Sequence, residues 1–128
     1  MGIIELIKEK TDLIIYSPAT VECINEAEKK LQVTFSKEYV DYVTTFGMAI
    51  FGGHELTGIC DGKRLDVVRN TVEQRRLNPF VPSNWYVIEC LDIDGVVTWQ
   101  NEAGEIYQTL PSGNMVLIGE SIVEYLES

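Results

Sequence analysis

Apolar positions change their spacing about halfway along the chain. In the first half they recur every three or four residues, the repeat of one helix face. Ile3, Ile4 and Ile7 predict a helix over 2–10. Ser17-Pro18 has the form of a cap followed by proline at the first helical position. From there Val21, Ile24, Ala27 and Leu31 make an apolar stripe, with Glu22, Glu26, Lys29 and Lys30 opposite. A third helix is expected from Ser36, with Phe35 and Val40 placed as a hydrophobic staple. Tyr39, Tyr42, Val43 and Phe46 form its inner stripe, and Gly47 ends it.

The middle of the chain is punctuated by glycine. Met48 to Cys60, with Gly52-Gly53 and Gly58, predicts two short strands around a tight turn, and Asp61-Gly62 is a further turn. Asp66 is placed to cap a helix from Val67 to Leu77, with Val68 and Val72 inward and Arg69, Arg75 and Arg76 outward. Pro79 and Pro82 make 78–84 a loop. Trp85–Leu91, Val96–Asn101, Ile106–Leu110 and Met115–Ile118 read as strands separated by Asp94-Gly95, Ala103-Gly104 and Pro111–Asn114 turns. Ser121 and Glu124 make a capping box for a short last helix. The expected class is α+β: N-terminal helices on a mainly antiparallel meander, with one helix interposed and a short C-terminal helix. At 128 residues one domain over 1–128 is expected, large enough to bury a core without disulfides.

Charge divides the chain unevenly. The net charge is −10, and all ten Lys and Arg residues lie between Lys8 and Arg76. From Leu77 to Ser128 there is no base, while eight acids are present: Glu89, Asp92, Asp94, Glu102, Glu105, Glu120, Glu124 and Glu127. Such a surface repels nucleic acid and anionic membranes and attracts cationic proteins; it also serves plain solubility. No run of about 18 apolar residues is present, so no membrane span is expected. The first residues lack the pattern of a signal peptide, so the cytoplasm is the expected compartment.

Candidate chemistry is sparse. Cys23, Cys60 and Cys90 are widely spaced and match neither a zinc site nor a redox pair, so buried free thiols are expected. His54 is the only histidine, which leaves no multi-histidine metal site and makes a hydrolytic triad improbable. Asp92-Ile93-Asp94-Gly95 has some acids of a calcium loop, but the bidentate glutamate of that loop is missing and a hairpin turn fits better. No phosphate-binding glycine loop is complete. No cofactor or metal is implied. Trp85, Tyr86, Trp99 and Tyr107 suit half-buried sheet packing, with one or two available as interface anchors.

Several segments together resemble the SMI1/KNR4 (SUKH) superfamily. Glu28 near the end of a helix leads into Val33-Thr34-Phe35-Ser36 and then Glu38-Tyr39-Val40-Asp41-Tyr42-Val43, similar to that family's opening. Phe46-Gly47, Phe51-Gly52-Gly53 and Leu56-Thr57-Gly58-Ile59 resemble its glycine-rich segment. Asn101-Glu102-Ala103-Gly104-Glu105-Ile106-Tyr107 resembles its later hairpin, and Ser121–Leu126 its closing helix. Phe35-Ser36 replaces the family's usual Leu-Pro, and Phe46-Gly47 its frequent Asn-Gly. The resemblance implies an α+β fold and, for small bacterial members, a non-enzymatic immunity protein that neutralises a cognate polymorphic toxin, often a nuclease. A cell-wall or stress-regulating interaction module is the alternative. A nuclease must present Lys and Arg to grip phosphates, so a cationic partner is expected. On that reading Asp92, Asp94, Glu102 and Glu105 are the candidate contacts, with Trp99 or Trp85 as anchors.

Overall fold

The structure, a computed structural model, describes residues 1–91 and 94–127. Helix α1 (Ile3–Lys8) buries Ile3, Leu6 and Ile7. Helix α2 (Val21–Leu31) starts three residues later than the Ser17-Pro18 signal predicts. Thr20 is its cap and accepts from the Cys23 amide at 3.2 Å. Tertiary hydrogen bonds hold the preceding residues extended: Tyr16 N–H reaches the Phe46 and Met48 carbonyls, and Ala19 N–H donates to the Val43 carbonyl at 2.9 Å. Val21 therefore faces solvent, while Ile24, Ala27 and Leu31 are buried as expected. Cys23 is exposed on the same helix, against the expectation of three buried thiols; Cys60 is buried and Cys90 half-buried.

Helix α3 (Lys37–Phe46) follows its sequence closely. The Ser36 hydroxyl accepts from the Tyr39 amide at 3.0 Å, the four stripe residues are buried, and Gly47 closes the helix with φ +75°. Helix α4 (Val67–Leu77) is capped by Asp66, but it is rotated relative to the expected face. Val67 and Thr71 point inward, Val68 is half-buried, and Val72 is exposed. The polar Thr71 is tolerated there because its hydroxyl accepts from the buried Val87 amide at 3.0 Å.

The fold is α+β with antiparallel strands, as expected, and the strands are divided between two sheets. Strands β1 (Ile14–Ile15), β2 (Ala49–Phe51) and β3 (His54–Leu56) form one, in that order. Strands β4 (Tyr86–Leu91), β5 (Val96–Gln100), β6 (Ile106–Thr109) and β7 (Met115–Gly119) form the other, also in chain order. Thr57 joins them, with its amide on the Ile88 carbonyl at 2.9 Å and its hydroxyl on the Val87 carbonyl at 2.8 Å. Helix α5 (Ile122–Glu127) packs back against β7 and α1.

The main core lies between the helices and the inner face of the larger sheet. Phe35, Tyr39 and Tyr86 meet there with ring centroids 4.8–5.1 Å apart. Gln100, fully buried, has both ends of its amide satisfied. Its oxygen accepts from Ser36 Oγ and Tyr86 OH, and its nitrogen donates to Glu38 Oε1 and the Gly104 carbonyl. The Glu38 carboxylate also accepts the Ile122 and Val123 amides at 2.7 and 3.1 Å, so a residue of α3 caps α5. A helix as short as α5 does not persist alone. Glu38→Ala is therefore expected to cost about 1–3 kcal/mol, from the lost cap and the one Gln100 N–H that loses its acceptor. Urea denaturation measures this, and an unchanged midpoint would mean that packing and the Ser121 cap, which accepts the Glu124 amide at 3.0 Å, hold α5 without Glu38.

Candidate interaction surface

Of the four expected contact acids, the three that the structure describes, Asp94, Glu102 and Glu105, do not form one cluster. Asp92 lies outside the described residues. Asp94 is exposed in the β4–β5 turn beside Gly95, whose φ of +65° suits the turn. Glu102 is exposed in the β5–β6 turn at the other end of β5, roughly 20 Å away at the rise of an extended strand. Glu105, near Glu102, is half-buried, and its carboxylate accepts from Asn101 Nδ2 at 2.8 Å. A typical interface of about 800 Å² per partner is roughly 30 Å across, so one partner touching both ends also covers the sheet face between them.

Neither tryptophan stands out on that face. Trp99 is fully buried, and its indole donates to Thr109 Oγ1 at 3.0 Å. Trp85 is 5% exposed and stacks on Tyr107 with centroids 4.3 Å apart. Together with Val87 and Val97 they make a second core under α4 and the 78–84 loop. Their rings stabilise the outer face of the sheet and are not presented to a partner, because strand register places Val87, Trp99, Tyr107 and Leu117 in one row on that side.

The apolar residues that are exposed on this side escaped the sequence reading. Phe80 is 80% exposed, Leu77 56%, Leu117 54% and Met115 47%. Of these, Leu77, Phe80 and Met115 border a cleft of about 590 Å³ on the outer sheet face. Leu77, Phe80 and Val81 form one wall; Cys90 and Val97 contribute to the floor; Pro111 and Met115 form the far wall. Arg75 holds the near wall in place, since its guanidinium donates to the Ser83 carbonyl at 2.9 Å and the Trp85 carbonyl at 3.3 Å. The available signals were an aromatic residue in a proline-rich loop and an apolar strand without alternation. Neither says which side is left uncovered.

Behind the sheet, the buried Glu89 and Tyr125 form a polar group with the half-buried His54. Glu89 is 1% exposed. Its Oε1 meets His54 Nδ1 at 3.0 Å and accepts from Tyr125 OH at 2.6 Å, while Oε2 accepts the Glu55 amide at 2.7 Å. Burial pushes this carboxyl up, but the donors from His54, Tyr125 and the Glu55 amide outweigh it and hold it below its ordinary range. The hydrogen bond to Glu89 raises His54 against an opposing effect of burial. The His54 side chain, 31% exposed, does not line the outer cleft, and its ring contacts are Phe51 and Tyr125. The arrangement ties β3 to β4 and α5. The Cys60 thiol is also unsuited to attack as a thiolate, because burial beside Asp66 raises it to about 11.

The family model described as SMI1-KNR4 cell-wall matches residues 2–112. The chain belongs to the SMI1-KNR4 family. No curated protein matches it. Members of the family are in general non-catalytic immunity or interaction domains. The residues that carry the family resemblance are structural in this fold. The Glu28 carboxylate accepts the Phe35 amide at 2.8 Å and so sets the link from α2 to α3. Asn101 closes the β5–β6 turn by accepting the Glu105 amide at 3.1 Å. Gly58 lies against the Gly47 carbonyl, where no side chain fits. The match to the SMI1-KNR4 family ends inside the β6–β7 turn, so β7 and α5 fall outside it. Among the described residues no helix is long and apolar enough to cross a membrane.

Proposed function

We propose that this SMI1-KNR4 protein is a cytoplasmic immunity protein that binds a cationic toxin domain, of the nuclease type, and blocks it by covering its surface. The observation that carries the reading is the placement of charge. The base-free half of the chain folds into the larger sheet and α5, with Asp94 and Glu102 exposed at opposite ends of the sheet. Among the described residues, the Lys and Arg ion pairs all lie between Glu26 and Arg76, and none reaches Asp94, Glu102, Glu105, Glu120 or Glu124. A basic surface that evolved to grip phosphate meets complementary potential there, which speeds encounter and favours the right partner.

The test uses the toxin domain encoded beside this gene. Co-expression is expected to protect cells, and the purified pair is expected to associate with a rate that falls steeply with salt. Changing Asp92, Asp94, Glu102 and Glu105 together to amides is expected to slow association by about tenfold or more and flatten the salt dependence. Full protection and an unchanged salt slope in that variant would place the contact elsewhere. A regulatory interaction module is the second reading, favoured by family membership alone; a gene with no toxin neighbour, whose loss leaves cells indifferent to their siblings, would support it.

A further inference from the structure

Exposed apolar side chains gather in two places. One is β1 and its neighbour, with Ile14, Ile15 and Tyr16; the other is the rim of the outer cleft, with Leu77, Phe80 and Met115. Their charged surroundings differ. A shallow pocket beside Tyr16 is lined by Lys63 and Arg64, which suits no cationic partner. The outer cleft has no charged residue among its described lining. Its floor and far wall come from the base-free half of the chain, and Asp94 adjoins Gly95 at its edge. The arginines of its near wall are engaged: Arg76 pairs with Glu73 at 2.7 Å, and Arg75 donates to the Ser83 and Trp85 carbonyls.

Monomeric proteins rarely leave such a group of large apolar side chains around a concavity without an occupant. An interface gains most of its affinity from a few apolar or aromatic anchors seated in pockets, ringed by polar contacts. A small charged ligand would want convergent charged groups, and the described lining, polar and apolar in about equal measure, holds no charged side chain. A second copy of this chain would bring Asp94 and the other acids of the larger sheet against their like, which like charge opposes.

We propose that the cleft between Phe80 and Met115 receives an apolar anchor side chain of a cationic protein partner, with Asp94 meeting positive charge beside it. This rests on the binding reading above and names the part of the surface that supplies its lasting affinity. Anchors and rim charges separate kinetically: losing an anchor speeds dissociation, whereas losing a rim charge slows association.

The experiment compares wild type, Phe80→Ser, Met115→Gln and the four-amide variant against the purified toxin domain encoded beside this gene, over a salt series. Thermal unfolding checks that each variant is folded; Phe80 and Met115 are exposed, so little change is expected. The expected result is dissociation faster by about tenfold or more in Phe80→Ser and Met115→Gln, with association rate and salt slope retained. Wild-type dissociation in both variants, while the four-amide variant loses association, would overturn the cleft and leave the immunity reading standing. A wild-type protein that does not bind the toxin would overturn both. Sedimentation of the protein alone supplies the remaining outcome: a dimer that Phe80→Ser dissolves would give the cleft to a second copy and overturn the cationic partner.

Discussion

Gly58→Ala is expected to abolish cooperative folding or to lower stability by about 3 kcal/mol or more, at or beyond the upper end of the range of about 1–3 kcal/mol for forcing atoms into a packed site. A β-carbon at position 58 would sit 1.8 Å from the Gly47 carbonyl oxygen and 2.8 Å from Met48 Cα. These are backbone atoms and cannot swing aside as a long side chain can. The backbone around the site is also held in place. Gly58 N–H donates to the Leu65 carbonyl at 2.9 Å, Ile59 N–H to the Gly47 carbonyl at 2.8 Å, and Val67 N–H to the Gly58 carbonyl at 2.8 Å. A shift at Gly58 therefore disturbs both the end of α3 and the start of α4. Gly52→Ala is the control. It has φ +51° but open space around it, so only the backbone strain of about 1 kcal/mol is expected. Urea midpoints of the two variants settle the comparison. Equal losses would mean that a small backbone shift relieves the contact at position 58, where φ is an ordinary one, and that close packing does not exclude a side chain there.

Glu89→Ala is expected to cost about 3–5 kcal/mol, the range for removing one partner of a buried charged pair. The loss leaves His54, the Tyr125 hydroxyl and the Glu55 amide without their common acceptor. The same group shapes the response to pH. The carboxyl is held below its unfolded value near 4.5, so its contribution is complete above that pH and is lost as pH falls through the folded value. His54 is held above its unfolded value near 6.5, so its contribution is complete below that pH and is lost as pH rises through the folded value. Both are complete only between about pH 4.5 and 6.5. Stability of the wild type minus that of Glu89→Gln is expected to be greatest in that window and to decline on either side. Taking the difference removes the general effect of the protein's large negative charge. A difference that stays flat between pH 6.5 and 8.5 would show that the histidine is neutral throughout and that the bond to Glu89 is an ordinary one.

Local chemistry made much of this architecture legible. Ser36 and Asp66 cap their helices at the expected positions, the Tyr39–Phe46 stripe is inward, and the glycine-containing turns separate the strands as read. Those features depend on residues within one or two turns of each other. The misplacements have distant causes. The start of α2 moved to Thr20 because the carbonyls at the end of α3 hold Tyr16 and Ala19 extended. Val72 faces out and Thr71 in because β4 offers an amide that only a hydroxyl can satisfy. Strand β1, two residues long, exists only as a partner for β2.

The candidate surface divides in the same way. The absence of any base after Arg76, and hence an acidic half, is a property of the sequence alone. So are the capping and turn signals that make the α+β class. Tertiary structure alone decided which aromatics are available. Trp85 and Trp99 read as possible anchors, yet α4 and the 78–84 loop cover one part of the outer sheet face and bury them. The same placement leaves Phe80, Leu77 and Met115 uncovered around a cleft. Apolarity is encoded residue by residue, but exposure depends on which other element lands on a face. That outcome is set by contacts between residues far apart in the chain, and no local pattern records it.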